Sequence, residues 1–371
     1  MRQGLAAALL LAGLAACEDD AVSPTVTDAA VDGPVRDVAA DAVVDAAVDA
    51  PPDAPDPCAS EDGGADGLPS KLSCTGLYTD IVAKTVAKDA VPYTPGIAFW
   101  SDGAVKDRWL LLPPNGTIDT TDLDELVFPV GTKAWKEFKL AGKRIETRIY
   151  WKRAPSSWSW ATYVWTADES EAVRNDNGAL NVVGSYEIPE KSKCDVCHGG
   201  RKDKLLGVEA VALALSTAQG ITLDGLAKAG RLSPVPPKTV LTLPEDATGK
   251  AAVALGYLHM NCGVSCHNRS INAAAQSSGL FMKLPAADLF AGAVAVTAVD
   301  TWTTAANQAI VSATFQSYTN QGYKRLLPKD SSKSLIPTLA GQRGGLQMPT
   351  IATHEVDTVG VKTVKDWIDA L

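Results

Sequence analysis

Cys194-Asp195-Val196-Cys197-His198 sets two thiols three positions apart, with an imidazole directly after the second. Thiols at that spacing can each add to one vinyl group of a single porphyrin. The neighbouring imidazole is then carried to the iron, so C-x-x-C-H reads as an attachment site for c-type haem. Gly199 and Gly200 follow and let the backbone turn closely past a flat ring. A Cys194–Cys197 disulfide beside an idle His198 uses the same residues. So does a C-x-x-C redox motif, but that belongs in a thioredoxin-like βαβ setting which the flanking sequence lacks. Cys262-Gly263-Val264-Ser265-Cys266-His267 repeats the logic with one more residue between the thiols. A longer loop can bulge and still present both sulfurs, and Gly263 helps it to do so. A Cys262–Cys266 disulfide, or zinc held by His259, Cys262, Cys266 and His267, are the alternatives there. The haem reading makes Cys194, Cys197, Cys262 and Cys266 thioether anchors, and His198 and His267 the proximal ligands of two covalent haems c.

The other three cysteines bear on compartment. Met1 and Arg2 precede a run of about ten apolar or small residues, Leu5–Leu14, too short for a helix to span a bilayer. The run ends in Leu14-Ala15-Ala16-Cys17, which resembles the lipobox of bacterial lipoproteins. That resemblance implies a signal peptide over 1–17 and a diacylated Cys17 at the mature N-terminus. The protein is then lipid-anchored in the cell envelope, on a periplasmic or outer-membrane face, where disulfides persist. Cys58 and Cys74 are left as a disulfide pair, although three disulfides fit the cysteine count equally well.

The net charge of −9 belongs to one stretch. Between Glu18 and Pro57 there are eleven acidic residues and a single basic one, Arg36, so residues 58–371 are close to neutral. No basic stripe runs along the chain, which argues against nucleic acid as a partner. Asp, Ala, Val and Pro dominate up to about residue 57 and favour disorder; the segment 18–74 reads as a tether.

Two textures follow. Residues 75–190 read as β, with short aromatic or apolar runs at Ile97–Ser101, Arg108–Leu112, Trp135–Leu140, Arg144–Trp151, Trp158–Thr166 and Asn181–Ile188. Lys143 to Tyr150 alternates in period two, and Gly and Pro punctuate the gaps, so a β-sandwich-like antiparallel domain is expected. Glu146 and Arg148 share a strand face, where an ion pair is the plain expectation. Seven of the nine tryptophans lie between Trp100 and Trp165, as core residues or, if exposed in a row, as a sugar-stacking surface. After residue 190 the chain reads as helical: 191–245 around the first motif, with Leu205–Gln219 and Leu223–Ala229, then 246–371. Asp246 is a candidate cap for a helix through Ala251–His259. In Val356–Leu371, Val359, Val361, Val364, Trp367, Ile368 and Leu371 lie near one helical face. The fold class is multidomain α+β, an antiparallel β domain followed by a mainly helical one.

Residues 246–371 resemble a class I cytochrome c domain. A helix enters the second motif; Pro328-Lys329-Asp330-Ser331-Ser332-Lys333-Ser334-Leu335-Ile336 is similar to a recurring segment of bacterial cytochrome domains. Gln347-Met348-Pro349 and a final helix follow. The resemblance implies that Met348 is a distal axial ligand, a soft thioether that favours Fe(II). Met260, Met282, His259 and His354 are the candidates for the other distal position, which could also be open. Phe99–Ala104, Phe128–Lys133 and Ile145–Arg148 resemble segments ahead of haem motifs in a poorly characterised family of exported bacterial proteins, which lends no activity. The expectation is a membrane-anchored dihaem cytochrome passing electrons to redox partner proteins. A dihaem peroxidase-like enzyme, which needs one five-coordinate iron, and a haem-free, disulfide-stapled glycan-binding lipoprotein are the alternatives. No Ser-His-Asp set, Gly-rich phosphate loop or zinc-protease helix appears in the sequence.

Overall fold

Period-two alternation between residues 105 and 165 produces the frame of the molecule. The computed structural model describes residues 58, 59 and 63–371; the expected signal peptide over 1–17, with Cys17, and the acidic stretch 18–57 lie outside the described residues. Strands β1 (Val91–Thr94), β2 (Val105–Leu111), β3 (Lys133–Leu140), β4 (Lys143–Ala154), β5 (Ser157–Trp165), β6 (Ala172–Arg174) and β7 (Gln219–Gly220) form one sheet in the order β7-β1-β2-β3-β4-β5-β6. Every neighbouring pair is antiparallel. β3 and β4 are joined by the two residues Ala141 and Gly142, both at positive φ, the backbone that the twist of a two-residue hairpin demands.

Both faces of the sheet are covered. On one, Trp109, Trp135, Ile149 and Ala161 stand directly opposite one another and pack against Leu68, Leu72 and Leu77. On the other, Leu110, Tyr150 and Trp158 join a core with Leu213, Leu255, Phe290 and Trp367 from the helical half. That double cover makes a second facing sheet unnecessary. The expected β-sandwich is therefore one seven-stranded sheet, accompanied by two small two-stranded ribbons. The described residues form one compact unit. Residues 63–74, expected as the end of a tether, belong to the packed fold instead, because Leu68 and Leu72 are buried in the sheet's core and Cys58 is bonded to Cys74.

Two runs expected as strands are not. Ile97–Ser101 and Asn181–Ile188 lie outside the named strands, the latter carrying an isolated Ala179–Ile188 bridge and a turn closed by Val182 N to Tyr186 O. Their aromatic residues are explained by position: Phe99, Trp100 and Tyr186 line an internal cavity.

The helices are short: α1 (Cys194–His198), α2 (Ala210–Ala214), α3 (Leu223–Lys228), α4 (Ala251–Leu258), α5 (Leu335–Ala340) and α6 (Thr358–Ala370) are those that matter here. α2 is much shorter than the apolar run Leu205–Gln219; all five of its residues are buried, and at Leu215 the chain turns extended toward β7. Asp246 does not cap α4. Glu245 accepts from Ala251 N and Ala252 N (2.8 and 3.3 Å), while Asp246 accepts from Trp367 Nε1 at 3.0 Å and ties α6 to this corner. On α6, Val361, Val364, Trp367 and Ile368 are buried as expected, but Val359 is 76% exposed. No helix among the described residues is long and apolar enough to cross a membrane.

Candidate functional site

The first motif forms α1, with Gly199 N closing its last turn onto Asp195 O at 2.8 Å. His198 Nδ1 lies 2.6 Å from Lys204 O. A carbonyl can only accept, so Nδ1 carries the proton and Nε2 keeps its lone pair. The ring stacks on Tyr150, centroids 4.3 Å apart and 18° from parallel, which fixes its orientation. Burial, with Lys136 nearby, pushes the His198 pKa down to about 3, so the imidazole is neutral at ordinary pH.

The second motif solves its extra residue by geometry. α4 runs into a π-turn over His259–Gly263, where hydrogen bonds span five residues instead of four: Val264 N to His259 O and His267 N to Cys262 O, both 2.8 Å. A π-turn is what one added residue produces in a helix, and it can bring thiols four positions apart back toward the same side. His267 repeats the arrangement of His198: its Nδ1 lies 3.1 Å from Leu280 O, again leaving Nε2 as the free donor, and burial lowers its pKa. Gly263 is required here, because a Cβ would sit 2.4 Å from the backbone of Met282 and Lys283.

The two motifs touch. Gly200 packs so closely on Ser265 that a Cβ would come within 1.9 Å of the Ser265 carbonyl oxygen. Cys266 Sγ lies 4.0 Å from Val196 O, which brings it beside Cys197. The neighbouring Cys266, with burial, raises the Cys197 pKa, and Cys197 in turn draws Cys266 down to about 7, while burial pushes Cys262 up to about 12 and also raises Cys194. All four cysteines are free, whereas Cys58 and Cys74 form a disulfide.

A cavity of about 470 Å³ opens between the sheet and the helices. Both pairs of cysteines, His198, His267 and Met348 all line it. Trp160, Leu206 and Leu339 contribute to a mainly apolar wall, the setting in which a flat aromatic cofactor is desolvated. Met348 is half-buried and packs against the cluster of Ile310, Leu335 and Leu339. Of the four other candidates for a distal ligand, Met282 alone lines this cavity. Met260 is fully buried against Ala212 and Val264. His259 Nδ1 accepts from Leu284 N at 2.9 Å, and its Nε2 is turned toward Glu209, 3.5 Å away. His354 pairs with Glu187 at 2.7 Å near the surface.

His259 thus faces away from the cysteines, which removes the zinc arrangement considered for the second motif. Among the described residues no group of three or more His, Cys, Asp and Glu converges on a metal site. Porphyrin-held iron needs no such cluster, since one imidazole per axial face suffices. The donor set fits covalent haem: paired free thiols, a neutral imidazole after each pair with Nδ1 committed to a carbonyl, and an apolar cavity shared by both. Lys204 and Leu280, whose carbonyls orient the imidazoles, carry no signal in the sequence, because a backbone carbonyl can come from any residue; the stacking of Tyr150 on His198 depends on where its strand meets α1.

The tryptophans are packed instead of displayed. Trp135, Trp158 and Trp165 are buried, and no tryptophan among the described residues is exposed. Glu146 and Arg148 form a bidentate pair (2.8 and 2.5 Å), with Tyr186 donating to Glu146 at 2.8 Å. Compared with known proteins, the chain matches no family model, no curated protein and no solved structure.

Proposed function

We propose that this chain is a c-type cytochrome of the cell envelope that carries two covalent haems and moves electrons, anchored to a membrane through lipid on Cys17. One observation carries the reading: two Cys/His motifs, separated by more than sixty residues in sequence, open onto a single apolar cavity with both imidazoles held in the same tautomer. Carbonyl acceptors on Nδ1 are the partners that raise the basicity of a ligating imidazole and hold its plane. When bound, haem supplies an iron that cycles between Fe(II) and Fe(III). The chain's own residues do the rest. Cys194, Cys197, Cys262 and Cys266 offer the anchoring thiols, and His198 and His267 offer Nε2. Met348 offers a thioether from the same cavity, and the apolar walls exclude water, which tunes potential. Residues 246–371 are on this reading the cytochrome c-like portion, and the sheet forms one wall of the haem cavity.

Mass spectrometry of the mature chain, matured in a host that attaches haem c, tests this directly. Two haem increments and a pyridine haemochrome are expected. Cys194→Ser with Cys197→Ser removes one increment, and Cys262→Ser with Cys266→Ser removes the other. A colourless chain whose four cavity cysteines are oxidised to disulfides refutes the proposal. Fully low-spin iron that ignores peroxide separates a carrier from a peroxidase-like enzyme.

A further inference from the structure

The wall that β2, β3 and β4 present to the cavity is unusually cationic. Their register sets Arg108, Lys136 and Arg148 directly opposite one another across three strands, and Lys106 lies two residues from Arg108 on the same face. Like charges placed opposite one another destabilise a sheet unless something compensates them. Glu146 compensates Arg148. Lys106 donates to Phe99 O and to Ser101 Oγ, and Arg108 donates to Lys106 O at 3.2 Å with its Nε left unpartnered. Lys136 has neither a hydrogen bond nor an ion pair among the described residues, and the Phe99 ring, 5.5 Å away, is its cation–π contact. On these three strands four cations thus share one face with a single carboxylate, Glu146, while Asp102 and Asp357 act on Lys106 from other segments. Lys106, Lys136 and Arg148 line the cavity together with His198 and Cys197. Across it, Arg325 donates to three backbone carbonyls. Of the carboxylates lining the cavity, Glu187 is held by His354 and Asp357 caps α6.

An unpaired ammonium at an apolar cavity wall is costly and calls for an anion, while the remaining wall calls for a flat apolar body. A porphyrin bearing carboxylates satisfies both. Building on the haem reading above, we propose that Lys136, supported by Lys106, is a carboxylate-binding residue that pairs with a propionate of the haem anchored at Cys194 and Cys197. Burial and the neighbouring cations push the Lys136 pKa well down and that of Lys106 to about 7, the direction expected of ammonium groups awaiting a counter-charge. The groups around such a carboxylate are Lys106 and Arg108 on β2, Lys136 on β3, Glu146 and Arg148 on β4, His198 and Cys197 on α1, and Asp102, Tyr186 and Asp357 from the flanking segments.

The test is potentiometry of the haem-loaded full chain as a function of pH, with mass spectrometry counting haems in each variant. In Lys136→Gln both haems stay attached, and one reduction potential falls because a nearby positive charge is lost. The protonation step in that haem's pH–potential profile moves up by about one pH unit or more, since a carboxylate loses the cation that held its pKa down. Lys136→Arg restores the original profile. Lys106→Gln moves it in the same direction and serves if Lys136→Gln fails to retain haem. Inorganic phosphate added at constant ionic strength leaves the wild-type profile unchanged. A fully loaded Lys136→Gln protein with an unmoved profile overturns the proposal. So does a wild-type profile that shifts with phosphate, which makes a free anion the occupant. A wild-type chain without haem increments defeats the haem reading itself, and mass alone tells that failure from the others.

Discussion

Gly200→Ala probes the contact between the two motifs with one methyl group. The added Cβ would lie 1.9 Å from Ser265 O and 3.0 Å from Ser265 C, whereas real Cβ atoms essentially never approach closer than 3.0 Å. The neighbour is backbone, and no rotamer change relieves it. The two segments must therefore part by about 1 Å, the order of displacement for which overpacking costs about 1–3 kcal/mol. Gly200 is not at positive φ, so the penalty is steric and not conformational. Parting the segments also pulls Cys197 from Cys266, and haem attachment at one or both motifs falls with stability. Urea denaturation of the loaded protein, with haem counting by mass, reads both effects. Gly345→Ala is the control, because its Cβ meets nothing within 4 Å, and it is expected to change stability by no more than about 0.5 kcal/mol. A Gly200→Ala protein as stable and as fully loaded as wild type refutes the direct packing of one motif on the other.

Asp203 follows the first motif by five residues and ties it to the sheet. Its carboxylate accepts from Lys152 Nζ at 2.7 Å, Trp158 Nε1 at 2.9 Å and Phe128 N at 2.5 Å, with Lys152 only 1% exposed. Asp203→Ala strands a buried ammonium and is expected to cost about 3–5 kcal/mol by chemical denaturation; a loss below 1 kcal/mol contradicts a buried pair. Burial alone would raise the Asp66 pKa, but hydrogen bonds from Arg174 and Lys191 outweigh it and hold the carboxyl well below the usual range. A carboxylate depressed in the folded state stabilises above its unfolded pKa. The stability gap between wild type and Asp66→Asn is therefore full above about pH 4 and closes as pH falls below it; a gap that persists in acid argues against the pairing. Replacing Cys58 and Cys74 by Ala removes a cross-link of sequence separation 16 and is expected to cost about 3 kcal/mol. An unchanged denaturation midpoint counts against the bridge.

Local chemistry was legible from the chain alone. The thiol–thiol–imidazole spacing, the alternation of β4 and the apolar stripe of α6 are each written within a dozen residues, where side-chain period and backbone geometry are directly coupled. The aromatic runs at Ile97–Ser101 and Asn181–Ile188 misled for the converse reason: residues facing a cavity look as apolar as residues of a strand. Which distant residues meet was decided only by tertiary closure. Gly200 lies 65 positions from Ser265, Tyr150 stacks on His198 from another element, and β-sheet register alone gathers Arg108, Lys136 and Arg148 into a row. Spacing likewise could not say how a C-x-x-x-C-H motif presents both sulfurs, since the widened turn depends on the backbone of Met282 and Lys283 packed against Gly263. Those relations depend on where the chain returns in space, and periodicity along the chain carries no record of that.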